Sequence, residues 1–160
     1  VHSTNNMYKK LKEHYAQSDQ NVVILFFGDH TPLFPNNGAL LNQLGYYESY
    51  DDLSAHIVPI AMWSNYMEAP EKLEQPISFN YLSSVLVDYC GTEQSPFMAY
   101  LSELRKKVSV FTQGYVIGSD GAVYNRNDRF IQDTMADYIM LQYDAIYGQQ
   151  YASDSIYDGK

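Results

Sequence analysis

The sequence is poor in cysteine and in basic residues. Its single cysteine, Cys90, among 160 residues excludes both an intrachain disulfide framework and a zinc site built from cysteines. Ten Lys and Arg against nineteen Asp and Glu give a net charge of −9. The basic residues form no stripe, so neither a nucleic acid nor an anionic membrane is expected as a partner. No apolar run approaches the roughly 20 residues that span a bilayer, and no signal-peptide pattern opens the chain.

The length is that of one domain, and the apolar fraction is sufficient for a substantial core. We expect one compact unit over residues 1–151. Residues 152–160 carry no periodic pattern and are predicted to be a disordered tail. Because the chain begins at Val1 rather than at methionine, with a helical pattern that leads directly into a strand, we expect it to be a piece of a larger fold.

An apolar run, Val22–Phe27, predicts a strand that is buried on both faces of a sheet. A helical pattern over residues 5–17 precedes it, with Met7, Leu11 and Tyr15 on one face and Thr4 or Asn5 as the N-cap. Helix, short turn and buried strand are half of a βαβ unit, so the sequence favours an α/β fold.

The rest of the chain alternates between short helices and strands. A second strand is predicted over Ala55–Trp63, where Pro59 favours an edge, a strand start or a bulge. The further predicted elements are a helix from Ala39 to Leu44, one from Ser78 to Cys90 that Gly91 ends, one from Ser95-Pro96, a hairpin of Val108–Ile117 and Ala122–Tyr124, and a last helix from Asn127 to Tyr147.

The strongest candidate for chemistry follows the first strand, where Gly28 leads into Asp29 and His30. Ligands of open α/β sheets bind outside the carboxyl ends of strands, which is where this pair lies. A carboxylate oxygen and an imidazole nitrogen suit Zn²⁺ or Mn²⁺, and Mg²⁺ less well. The alternative is that Asp29 caps the following loop and His30 is an ordinary surface histidine.

Other polar side chains are weaker candidates. Thr31 and Ser64 lie near predicted strand ends, but turn residues that bond to the backbone are the favoured interpretation. His56 lies at the start of the second predicted strand. A core or edge histidine is the favoured interpretation, and a substrate contact is the alternative. Cys90 is interpreted as an inert, partly buried thiol. Two tyrosine-rich segments suggest either a sugar-binding surface or packing under loops: Tyr46-Tyr47-Tyr50 and Tyr143-Tyr147-Tyr151.

Several short motifs, taken in order, resemble the carboxyl-terminal portion of the lipoteichoic acid synthase-like phosphoglycerol transferases, in the sulfatase and alkaline phosphatase superfamily. They cover nearly the whole chain: Phe27-Gly28-Asp29-His30 with Pro32, Pro59–Asn65 with its Trp-Ser-Asn ending, Ile77–Leu82, Ser95-Pro96-Phe97 and Leu141–Gly148. Each motif is short, but five in register are specific. The resemblance implies the carboxyl-terminal part of an alkaline-phosphatase-like α/β/α sandwich, with a C-terminal β-hairpin and helix.

The resemblance also implies an activity for the parent protein. Family members transfer phosphoglycerol at the extracellular face of the bacterial cell membrane, to which amino-terminal transmembrane helices anchor them. Their substrates are lipid-linked or glycan phosphoesters. Asp29 and His30 match the family's late pair of ligands for a divalent cation, usually Mn²⁺ or Mg²⁺, with Zn²⁺ as a further candidate.

The family's threonine nucleophile, acidic metal ligand and substrate-binding His and Arg lie upstream of that pair, and Thr31 does not occupy the nucleophile's place. We therefore expect a carboxyl-terminal fragment that is inactive alone, binds metal weakly or not at all, requires the missing N-terminal part of the same chain, and is prone to self-association through an exposed sheet edge. Two alternatives remain open, a hydrolase of the sulfatase or phosphodiesterase type and a non-enzymatic module that binds cell-wall glycans.

Overall fold

The computed structural model describes residues 2–32, 39–48 and 53–157. The chain divides into two compact units, Val1–Lys72 and Leu73–Lys160, where the sequence suggested one. The boundary falls in the polar connection after the second strand, a stretch with no apolar pattern that could join a core. No helix among the described residues is long and apolar enough to cross a membrane.

The first unit is built on a pair of strands. Its elements in chain order are helix α1 (His2–Tyr15), strand β1 (Val23–Phe27), helix α2 (Ala39–Gln43), a 3₁₀ turn (Leu53–His56) and strand β2 (Ile60–Ser64). The strands are antiparallel, with Val23 opposite Ser64 and Phe27 opposite Ile60. Strand β1 is therefore half-buried, and Phe27 is exposed, so the predicted burial on both faces is not found in the described residues.

Helix α1 packs through a different face from the one predicted. Tyr8 stacks on Phe26 with ring centroids 5.0 Å apart, and the Lys12 ammonium lies over the Tyr8 ring. Met7 and Leu11, which the spacing placed on the inner face, are exposed. The helix also begins earlier than predicted, so Thr4 and Asn5 lie inside it and are not its N-cap.

The second predicted strand is shorter than its apolar pattern. Residues 53–56 form the 3₁₀ turn, so His56 is exposed and does not open a strand. Pro59 lies just before β2, which is the strand-start position predicted for it, because proline has no N–H for the ladder. Residues 33–38 and 49–52, before and after α2 in the sequence, lie outside the described part of the chain.

Asn65, which follows β2, links several segments of the first unit through its side chain. Its amide oxygen accepts from the Val22 N–H at 2.9 Å, and its amide nitrogen lies 2.9–3.3 Å from the carbonyl oxygens of Tyr15, Ser18 and Gln20. One side chain thus joins the end of α1, the turn that follows it, and both strands. The Asn that ends the Trp-Ser-Asn motif has a structural role here.

The second unit packs helices against a small hairpin. Its elements are a 3₁₀ turn (Phe79–Tyr81), helix α3 (Leu82–Cys90), helix α4 (Pro96–Arg105), strands β3 (Val108–Phe111) and β4 (Val116–Gly118), helix α5 (Arg129–Ile146) and a π-helical turn (Ser153–Tyr157). The helix ends follow the sequence: Ser95 caps α4 through the Met98 N–H, and Gly91 ends α3 with φ +61°. The core side chains are Tyr81, Leu101, Leu104, Val108, Val116, Ile131, Met135 and Tyr138.

Two features of this unit differ from the prediction. The predicted single strand Val108–Ile117 is two strands, because Thr112 folds a tight turn by accepting from the Tyr115 N–H at 2.9 Å. The predicted turn at Gly118–Gly121 follows β4, and Val123 then bridges back to Ile117. Ser78 precedes the 3₁₀ turn, but its hydroxyl accepts from the Phe111 N–H at 2.7 Å rather than capping the helix.

The segment predicted as a disordered tail includes the π-helical turn Ser153–Tyr157. The Tyr157 hydroxyl donates to the Leu141 carbonyl oxygen at 3.1 Å, and its ring meets Phe97 edge-on at 4.8 Å between centroids. These contacts attach the turn to α5 and α4. Residues 158–160 lie outside the described part of the chain.

Candidate metal-ligand pair at the end of strand β1

Asp29 and His30 lie in the loop that leaves β1, as the sequence predicts. The Asp29 Oδ2 and His30 Nε2 atoms are 3.6 Å apart, and both side chains are largely exposed. The other carboxylate oxygen, Asp29 Oδ1, accepts from the His30 backbone N–H at 2.9 Å, which limits rotation of the carboxylate. The two side chains therefore converge, with one oxygen and one ring nitrogen facing each other.

The remaining ring nitrogen of His30 has a backbone partner. His30 Nδ1 lies 2.8 Å from the carbonyl oxygen of Thr31, which can only accept a hydrogen bond. In the neutral imidazole the proton is then on Nδ1, and Nε2 keeps its lone pair. This is the usual arrangement of a metal-binding histidine, whose second nitrogen donates to a carbonyl or a carboxylate.

The donor atoms fit a divalent cation. Two ligands at about 2.1 Å from one ion, at a tetrahedral angle, are about 3.4 Å apart, close to the 3.6 Å that separates Asp29 Oδ2 from His30 Nε2. Among the residues that the structure describes, no group of three or more His, Cys, Asp or Glu side chains converges into a metal site. The chain thus presents two suitable donors.

The loop that carries the pair is attached on both sides to the segment before β2. Ahead of the pair, the Gly28 N–H donates to the Pro59 carbonyl oxygen at 3.1 Å. After the pair, the Thr31 hydroxyl donates to the carbonyl oxygen of the fully buried Ala55 at 2.7 Å. A Cβ atom at Gly28 would lie 3.1 Å from the Val58 Cβ, so the glycine permits this close approach. The sequence did not reveal these attachments, because they join residues more than 20 positions apart.

The other candidate site residues have structural roles. The Thr31 hydroxyl bonds to the Ala55 backbone, and the Ser64 hydroxyl accepts from the N–H groups of Tyr66 and Met67, so both are the turn residues that the sequence favoured. Cys90 is partly buried at the end of α3, as expected.

The two tyrosine-rich segments differ in exposure. In the first segment Tyr46 is 69% exposed and Tyr47 is buried, and Tyr50 lies outside the described residues. Tyr143, Tyr147 and Tyr151 are 63%, 76% and 86% exposed, and the first two rings are 5.9 Å apart between centroids. The end of α5 therefore presents an aromatic surface to solvent.

No protein-family model matches the chain. The chain is 25% identical over 169 residues to a Rhizobium meliloti (strain 1021) protein named as a candidate cyclic beta-1,2-glucan modification protein. The alignment covers 98% of this chain and 26% of that protein. The sequence likeness thus extends along the whole chain, but the chain spans only about a quarter of this relative.

The structure is similar to Streptococcus pyogenes phosphoglycerol transferase GacH, solved in complex with sn-glycerol-1-phosphate. The match has a TM-score of 0.67 at 21% identity, and it covers 96% of this chain and 35% of GacH. The chain therefore has the fold of the carboxyl-terminal part of a phosphoglycerol transferase, which confirms the fold class expected from the sequence motifs.

Proposed function

We propose that this chain supplies Asp29 and His30 as two metal ligands to the active site of a metal-dependent phosphoglycerol transferase. The convergence of these side chains at the end of β1, in a fold shared with GacH, is the observation that carries the proposal. The transferred group is proposed to come from a lipid-linked or glycan phosphoester, and the location to be the extracellular face of a membrane.

Asp29 and His30 would contribute different properties to that site. The carboxylate of Asp29 brings negative charge, and Nε2 of His30 brings a neutral donor whose direction is set by the hydrogen bond at Nδ1. This donor set suits Mn²⁺ or Zn²⁺, and Mg²⁺ less well. When bound, the cation lowers the pKa of a nucleophile and stabilises charge on the transferred phosphoryl group.

We further propose that the 160-residue chain is catalytically inactive alone. The resemblance assigns the nucleophile and the other ligands to segments upstream of this pair, and both Asp29 and His30 are open to solvent. A hydrolase of the sulfatase or phosphodiesterase type would use the same two ligands, with water as the final acceptor. Metal-dependent turnover of a phosphodiester by this chain, lost in Asp29→Asn, would contradict the proposal.

Mn²⁺ binding to the 160-residue chain tests the ligand pair. We expect roughly millimolar affinity by calorimetry or electron paramagnetic resonance, since two donors on an exposed loop hold the ion. Asp29→Asn and His30→Gln should each abolish this binding. Asp19→Asn and His14→Gln, which alter exposed side chains of the same unit, should leave it unchanged. Equal Mn²⁺ binding by all four variants would refute the assignment of Asp29 and His30 as metal ligands.

The exposed tyrosines of α5 favour a second candidate function, glycan recognition. Aromatic rings with a hydroxyl combine a flat apolar face with a hydrogen-bonding edge, which suits sugars, and the Rhizobium relative's name refers to a glucan. Binding of a soluble β-1,2-glucan that Tyr143→Ala and Tyr147→Ala weaken, and Asp29→Asn does not, would support this function. The reverse pattern would exclude it.

A further inference from the structure

His30 can bind a cation through Nε2 only when its neutral ring carries the proton on Nδ1. A histidine side chain free in water favours the opposite tautomer, with the proton on Nε2. Here the Thr31 carbonyl oxygen, 2.8 Å from Nδ1, stabilises the required form. The Asp29 carboxylate, 3.6 Å from Nε2, favours a proton on that nitrogen instead, so the Thr31 carbonyl has to outweigh it for Nε2 to keep its lone pair.

The Thr31 side chain fixes that carbonyl. Its hydroxyl donates to the carbonyl oxygen of Ala55 at 2.7 Å, and Ala55 is fully buried. Residue 31 is thereby attached to the backbone of a fully buried residue. The Gly28–Pro59 hydrogen bond holds the other end of the loop, so the Thr31 hydroxyl is the second of two anchors around the pair.

We propose that Thr31 is a positioning residue for His30: its hydroxyl holds the residue 31 carbonyl where it selects the Nδ1–H tautomer, leaving Nε2 to bind the cation. The role rests on the proposed metal function, but the tautomer can be measured without metal. The proposal thus gives the hydroxyl that follows the Asp-His pair a role in the site.

The tautomer test uses imidazole nitrogen chemical shifts of the metal-free, 160-residue chain, recorded at increasing pH until the His30 shifts no longer change. His30→Gln assigns the His30 signals among the four histidines. The parent chain should show mainly the Nδ1–H form. Thr31→Val, which replaces the hydroxyl with a methyl group, should shift His30 toward Nε2–H, and Thr31→Ser should restore the parent pattern.

Two further variants control for indirect effects. Thr112→Val removes a hydroxyl from a turn in the second unit and should leave the His30 signals unchanged. If Thr31→Val perturbs folding, seen as a change in Trp63 fluorescence, Thr31→Ala removes the same hydroxyl without the branched side chain. An unchanged His30 tautomer in a folded Thr31→Val or Thr31→Ala chain overturns the proposal.

Mn²⁺ affinity gives a second and separable readout. Loss of a residue that orients a metal-binding histidine weakens binding by roughly tenfold or more, so Thr31→Val should bind Mn²⁺ about tenfold more weakly than the parent and Thr31→Ser nearly as well. A Thr31→Val affinity equal to that of the parent overturns the positioning role. If Asp29→Asn and His30→Gln leave Mn²⁺ binding unchanged, the proposed metal function itself is refuted, whichever tautomer His30 adopts.

Discussion

Removing the side chain of Asn65 should unfold the first unit at a markedly lower urea concentration. The amide oxygen holds one backbone N–H, and the amide nitrogen has two hydrogens to share among three carbonyl oxygens. Three effective hydrogen bonds at about 1 kcal/mol each give about 3 kcal/mol. Because Asn65 is only half-buried, water replaces part of this, so we expect Asn65→Ala to lower the free energy of unfolding by about 2 kcal/mol.

A second substitution separates hydrogen bonding from the loss of side-chain volume. Asn65→Asp has nearly the same shape and keeps the acceptor for the Val22 N–H. It replaces the donor with a carboxylate oxygen that faces the carbonyl oxygens of Tyr15, Ser18 and Gln20. The repulsion should make Asn65→Asp at least as destabilising as Asn65→Ala at neutral pH.

The assay is urea unfolding followed by fluorescence of Trp63, the only tryptophan, which lies in β2 and so reports on the first unit. Asn6→Ala, an exposed position on α1, is the control and should change stability by less than about 0.5 kcal/mol. The role given to this side chain would be refuted if Asn65→Ala unfolded at the same urea concentration as the Asn6→Ala control. It would also be refuted if Asn65→Asp were as stable as the parent chain.

Two predictions concern the second unit. The Asp88 carboxylate accepts from the Ser102 hydroxyl at 2.9 Å and from Arg105 at 3.1 Å, so Asp88→Asn should cost about 1 kcal/mol in thermal unfolding by circular dichroism. Glu103→Gln, at an exposed ion pair, should cost almost nothing, and equal losses would contradict the argument. Burial raises the pKa of Tyr81 above its usual value near 10, so the contribution of Tyr81 to stability should be constant below pH 10 and fall above it. Tyr81→Phe should make that alkaline loss shallower, and an unchanged slope would exclude Tyr81 as its source.

The parts of the fold that were predicted correctly depend on neighbouring residues. The start of α4 follows from Ser95 and Pro96, a capping hydroxyl and a residue with φ already suited to the first helical turn. The end of α3 follows from Gly91, which adopts the left-handed conformation. Such signals act within one helical turn, so a single sequence contains them in full.

The incorrect predictions depend on distant partners or on side chains with two roles. The apolar run of β1 fits a strand covered on both faces, but it does not specify which strand pairs with it or in which direction. Thr112 and Tyr115 fit an alternating strand pattern, yet the Thr112 side chain closes a turn that divides it. The Asp29–His30 pair was predicted from residue type and position, whereas the hydrogen bonds around it were not.

The antiparallel pairing of β1 with β2 explains how the pair acquires its supports. Phe27, the last residue of β1, is opposite Ile60, the first residue of β2, so the residues that follow β1 lie beside those that precede β2. In a parallel pairing the loop after Phe27 would instead lie beside the residues that follow Ser64. Only the antiparallel register brings Gly28 to Pro59 and Thr31 to Ala55. The direction of β2 is thus what allows two exposed side chains to be held on an anchored loop.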